Sequence, residues 1–134
     1  VRSVPHVGLT NGYRVELGGR VVTYLSDHQM PADGSHEISD AVLELCDGAD
    51  LLIHDAQYTV EEFPAKSTWG HCTPEFAVHV AKEAGVRRLA LFHHDPAHHD
   101  GWVDDILAGA RREAQGSGID EVVAAYEGLV ISYS

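Results

Sequence analysis

A chain of 134 residues with 44% apolar content has the size of a single domain, residues 1–134, with a core of its own. Its 21 acidic against 9 basic residues, a formal charge of −12, oppose a broad grip on a nucleic-acid backbone, so extensive nucleic-acid binding is not expected. No apolar run approaches the roughly 20 residues of a membrane span and the N-terminus has no signal pattern; with only Cys46 and Cys72, both read as reduced thiols, a cytoplasmic location without a membrane partner is expected.

After a short opening segment, Gly12 to Leu17 and Arg20 to Leu25 read as two strands joined by Gly18-Gly19, a pair suited to a primed two-residue turn. Ser26 to His36 is a polar loop. Ser35 is the candidate cap of a helix carrying Ile38, Ala41, Val42 and Leu45 at helical spacing, ended by Asp47-Gly48. Leu51-Leu52-Ile53 is short enough for a buried strand, and it delivers His54 and Asp55 to its carboxyl end.

A long loop to Cys72 follows. Thr73 then caps a helix with Pro74 at its first position and Glu75 in its first turn, reaching Lys82 or Glu83 and stopped by Gly85. Arg88 to Phe92 is a further short apolar strand. A helix over about Trp102 to Ala114 is closed by Gly116 to Gly118, and Glu121–Ala125 and Leu129–Ser132 read as final strands. Alternating strands and helices indicate α/β layering.

Ten histidines are many for 134 residues. Three strand ends finish in cation-binding types: Ser26-Asp27-His28, His54-Asp55 and His93-His94-Asp95. In layered α/β folds ligands collect beyond the carboxyl ends of strands, so these ends are expected to converge. Imidazole with carboxylate suits zinc, manganese or iron. His28, His36, His98 and His99 read as solvated loop histidines and His79 as a helix-surface residue. His71 sits just before a helix N-terminus, whose dipole disfavours its proton while a neighbouring carboxylate such as Asp55 would favour it, a pairing suited to a general acid.

In this order the segments resemble the second half of the metallo-β-lactamase superfamily, above all its tRNase Z and cyclic-phosphodiesterase branch. The resemblance rests on His6 before Gly12-Tyr13-Arg14-Val15, on Tyr24-Leu25-Ser26-Asp27, on His54-Asp55-Ala56-Gln57, on Gly70-His71-Cys72-Thr73-Pro74-Glu75 and on Leu89-Ala90-Leu91-Phe92-His93-His94-Asp95-Pro96. It implies His6 and His93 as metal ligands, Asp27 as the carboxylate bridging two metals, His71 as general acid and Asp55 as the group that orients it, with His94 an open second candidate.

Two divalent ions are implied, zinc first, with manganese or iron as alternatives. The implied fold is the C-terminal half of the αββα sandwich, a mixed sheet with helices packed on one face. The implied reaction is hydrolysis of a phosphodiester by a metal-bound hydroxide, and the acidic balance favours a small or cyclic nucleotide-like substrate. The family's His-x-His-x-Asp-His cluster is absent from the 134 residues. A complementary N-terminal half or partner chain is therefore expected to complete the dinuclear site and cover the open sheet face, and a homo-oligomer stands as a separate partner expectation. Two alternatives stand beside this reading: a non-catalytic half-domain serving assembly, and a thioester or lactam hydrolase on the same fold.

Overall fold

A computed structural model describes residues 1–134. The chain opens with a three-residue strand β1 (Arg2–Val4), then β2 (Thr10–Leu17) and β3 (Arg20–Leu25), each antiparallel to the one before. Gly18 and Gly19 take φ of 59° and 74° between β2 and β3. Both signs are positive, as the tight primed turn requires, so the glycine pair fixes the Leu17↔Arg20 register.

Helix α1 (Asp40–Cys46) leads into β4 (Leu51–Asp55), the short α2 (Phe63–Lys66) and α3 (Pro74–Glu83). Then come β5 (Arg88–Phe92), α4 (Asp100–Ala114) and β6 (Glu121–Ala124). Strands β3 to β6 run parallel, giving one mixed sheet in the order β1-β2-β3-β4-β5-β6.

Period-two alternation decides which face is buried. Thr23 and Leu25 on β3, Leu52 and His54 on β4, and Leu89 and Leu91 on β5 are buried on the side where Val42, Leu45, Phe76, Val80, Ile106 and Ala110 of the helices pack. Burying each large apolar side chain of this kind contributes about 1.5–3 kcal/mol. On the opposite face Tyr13, Val15, Leu17 and Tyr24 are exposed. Helices thus cover one face of a mixed sheet, as expected, and the other stays open.

Local expectations fail at four places. Helix α1 begins after Ser39, not Ser35, because the Asp33 carboxylate takes the Ser35 N–H in a local turn and Ser39 is the last extended residue. The loop before Cys72 contains α2, introduced by a reciprocal Thr59–Glu62 pair in which each backbone N–H donates to the other's side chain. Helix α4 starts at Asp100 because the His99 imidazole accepts the Trp102 N–H. Residues 129–132 form no strand; Arg88 holds the Ser132 carbonyl by a side chain instead of a ladder.

Candidate metal and acid–base site

Register brings the chemistry together. Leu25 pairs with His54 and His54 with Leu91, so the carboxyl ends of β3, β4 and β5 open side by side and the residues just beyond them meet.

Asp55 lies at the centre and is fully buried. Its Oδ1 accepts the N–H groups of Gln57 at 3.2 Å and Cys72 at 3.1 Å. Its Oδ2 accepts the His71 Nδ1–H at 2.6 Å and the His28 N–H at 3.4 Å. Burial alone would push this carboxyl up, but hydrogen bonds from His71 and His93 and from the Cys72 backbone outweigh it and hold it below the usual range.

His93 leaves β5 with φ of 58°, a left-handed conformation uncommon outside glycine. The turn brings its Nδ1–H to the Ser26 carbonyl at 2.9 Å, with Asp55 at 3.5 Å and Asp27 at 3.6 Å. Asp55 beside the ring, working against partial burial, raises its pKa to about 9. Ser26 donates its hydroxyl to Asp27 Oδ2 at 2.7 Å, which fixes the carboxylate so that Oδ1 faces His93.

Asp27, His71 and His93 each offer one ligand atom, and these atoms lie within 4.8 Å of one another. A carboxylate oxygen with two imidazole nitrogens suits a divalent cation such as zinc, manganese or iron. His6 stands beside this group: its Nδ1–H donates to the Gly70 carbonyl at 2.7 Å and its ring centre is 5.7 Å from that of His71. All five sequence candidates, His6, Asp27, Asp55, His71 and His93, therefore occupy one neighbourhood.

Other expectations need correction. His54 does not face the site; it shares the buried face with Leu52, a consequence legible in the strand's alternation. His28 and His98 are buried, not solvated: His28 bonds the His54 ring at 3.0 Å and His98 donates to Glu62 at 2.9 Å. Nothing in the sequence pattern signals either pairing. His94 lies outside the ligand group, lining a cavity of about 740 Å³ with Asp95 and Tyr126, while Asp95 pairs with Lys66 at 3.5 Å.

The family described as Beta-lactamase superfamily domain matches residues 2–94. The chain belongs to that superfamily. Among curated relatives, the ribonuclease Z of Brevibacillus brevis is 42% identical over 83 residues, covering 59% of this chain and 26% of that protein. The ribonuclease Z of Sulfurisphaera tokodaii is 32% identical over 124 residues, covering 88% of this chain and 41% of that protein. Human tRNase Z, short form, superposes with a TM-score of 0.70 at 26% identity over 97% of this chain and 40% of that one.

The metallo-beta-lactamase fold protein YhfI from Bacillus subtilis gives a TM-score of 0.72 over 96% of this chain and 46% of that one; at 23% identity it speaks to the fold alone. The chain thus spans about a quarter to two fifths of these curated relatives. The expectation of a small substrate, with nucleic acid disfavoured by charge, finds no support among superfamily members whose name is ribonuclease Z. No helix is long and apolar enough to cross a membrane.

Proposed function

We propose that this chain is the acid–base and metal-binding half of a hydrolase that cleaves phosphodiesters, its dinuclear site completed by further ligands from polypeptide outside these residues. The observation that carries the reading is the 2.6 Å bond from His71 to buried Asp55, set against the Asp27 and His93 donors. A bound divalent cation supplies Lewis acidity, lowering the pKa of water and offsetting charge on a phosphoryl oxygen. Asp27 and His93, with His6 beside them, are the side chains that would hold such an ion. Three side chains are too few to hold two ions tightly, and on this reading the remaining donors and the cover of the open sheet face would come from polypeptide outside these residues.

His71 is assigned as the proton donor to the leaving oxygen. With Nδ1–H fixed on Asp55, its other nitrogen is the one left for substrate, and Asp55 holds the ring in that orientation. The names of the relatives, and not the charge of this segment, bear on substrate size, so both a small diester and an RNA belong in the test.

The complete protein is assayed with zinc or manganese on bis-p-nitrophenyl phosphate, a cyclic nucleotide and a short RNA. Turnover should vanish in Asp27→Ala, and turnover no higher than that control removes the hydrolase reading. His71→Ala should keep its metal content and lose more activity on RNA, whose leaving alkoxide needs a proton, than on the p-nitrophenyl ester. Loss of metal in that variant would instead make His71 a ligand.

A further inference from the structure

Behind the site, on the helix-covered side of the sheet, a second group of donors is closed off from solvent. Cys72 and His54 are fully buried and His28 is 2% exposed. One ligand atom from each lies within 4.8 Å of the others. His28 Nδ1 stands 3.0 Å from His54 Nε2 and 3.7 Å from Cys72 Sγ.

We infer that His28, His54 and Cys72 form a three-coordinate site for a soft monovalent cation, Cu(I), separate from the divalent site in front of it.

Geometry comes first. Metal bonds of roughly 2.3 Å to sulfur and 2.0–2.1 Å to nitrogen place a thiolate and an imidazole roughly 3.6–3.8 Å apart around one ion. The sulfur–His28 separation already has that value, the His54 ligand atom lies within 4.8 Å of the other two, and the two rings would open their hydrogen bond by about half an ångström. Orientation comes next. The His54 Nδ1–H donates to the Asp55 carbonyl at 2.7 Å, which places that ring's proton there and leaves the Nε2 lone pair aimed at His28. A ligating histidine held this way through its other nitrogen is the usual support for a metal.

Charge selects the ion. A thiolate with two neutral imidazoles carries one negative charge, so Cu(I) makes the buried assembly neutral, whereas zinc would leave a net positive charge among apolar side chains. Soft thiolate with imidazole also favours Cu(I). No electron changes hands: the Cys72 S–H bond, now donating to the His28 carbonyl at 2.9 Å, breaks as the S–Cu bond forms, and its proton leaves to solvent. The His28 Nδ1–H that donates to His54 Nε2 is given up while Nε2 of the same His28 ring takes a proton, so that Nδ1 is free for the ion and the ring stays neutral. His28 and Met30 both line a cavity of about 230 Å³.

The test is an anaerobic Cu(I) titration of the 134-residue chain against a chromophoric Cu(I) chelator. One tightly held equivalent is expected, retained in Asp27→Ala/His93→Ala and in Cys46→Ala, and lost in Cys72→Ala and His28→Ala with circular dichroism unchanged. X-ray absorption of the Cu(I)-loaded wild type adds a readout that needs no variant to fold: one sulfur and two nitrogen scatterers are expected. Absence of a sulfur scatterer, survival of the equivalent in Cys72→Ala, or refusal of Cu(I) with zinc bound in its place would overturn the inference. These readouts do not depend on hydrolysis, so they stand or fall apart from the function proposed above.

Discussion

His28 and His54 are neutral because the fold excludes water from them, and that neutrality has a cost in acid. Burial, followed by the neighbouring His54, lowers the His28 pKa to about 3, and burial lowers that of His54 as well. Between the ordinary histidine value near 6.5 and the depressed one, the unfolded chain binds protons that the folded chain refuses. The stabilisation is therefore complete above about pH 6.5 and drains away as pH falls toward 3, with a slope of up to about 1.4 kcal/mol per pH unit for each proton. Urea midpoints of the metal-stripped chain between pH 7 and 4.5 should fall with pH in the wild type and fall less steeply in His28→Gln. A parallel pair of curves would show that His28 takes no part. Such behaviour was not legible from residue 28 itself, which reads as a solvated loop histidine; its neighbours in space, His54 and Cys72, are 26 and 44 positions away.

The elements that position the site were legible where a local signal fixes the backbone. Thr73, Pro74 and Glu75 state a helix start, and the Thr73 hydroxyl accepts the Phe76 N–H at 3.2 Å as that start demands. Thr73→Ala should cost about 1 kcal/mol and Thr73→Ser very little, read from chemical denaturation. The loop just before it obeys a tertiary constraint instead. Gly70 takes φ of 98° and a Cβ there would lie 2.5 Å from the His6 ring carbon. Gly70→Ala should therefore destabilise the fold by roughly 1–3 kcal/mol and displace His6 from the Gly70 carbonyl. A shifted His6 ring resonance by NMR checks the displacement; an unmoved ring would mean the loop yields elsewhere. Ser35 and Ser39 show the other limit: Ser35 is held in the Asp33 turn, and the helix starts at Ser39 through its backbone carbonyl, which accepts the Val42 and Leu43 N–H groups, without a side-chain cap bond.

At the scale of the molecule, the open sheet face sets how these 134 residues behave in solution when no other polypeptide covers it. Tyr13, Val15 and Leu17 on β2 are 43%, 54% and 80% exposed, and Tyr24 beside them packs edge-on against Phe92 with ring centres 5.8 Å apart. The outer strands β1 and β6 have three and four residues, too short to invite edge pairing, so association through the face is the expected route. The C-terminal segment covers little of it: Tyr133 sits between Arg20 and Arg88 at the starts of β3 and β5, its hydroxyl bonded to the Asp50 carbonyl. Apolar attraction across that face competes with the repulsion of −12 charges per chain. Salt screens the repulsion and leaves the attraction, so self-association by analytical ultracentrifugation should strengthen from about 10 mM to about 500 mM ionic strength. Val15→Lys with Leu17→Lys should suppress both the association and the binding of a hydrophobic dye, with folding stability changed by about 0.5 kcal/mol or less per site, because neither residue belongs to the buried core. Association that weakens with added salt, or survives both lysines, would place the contact on charged surface elsewhere and leave the sheet face without a part in it.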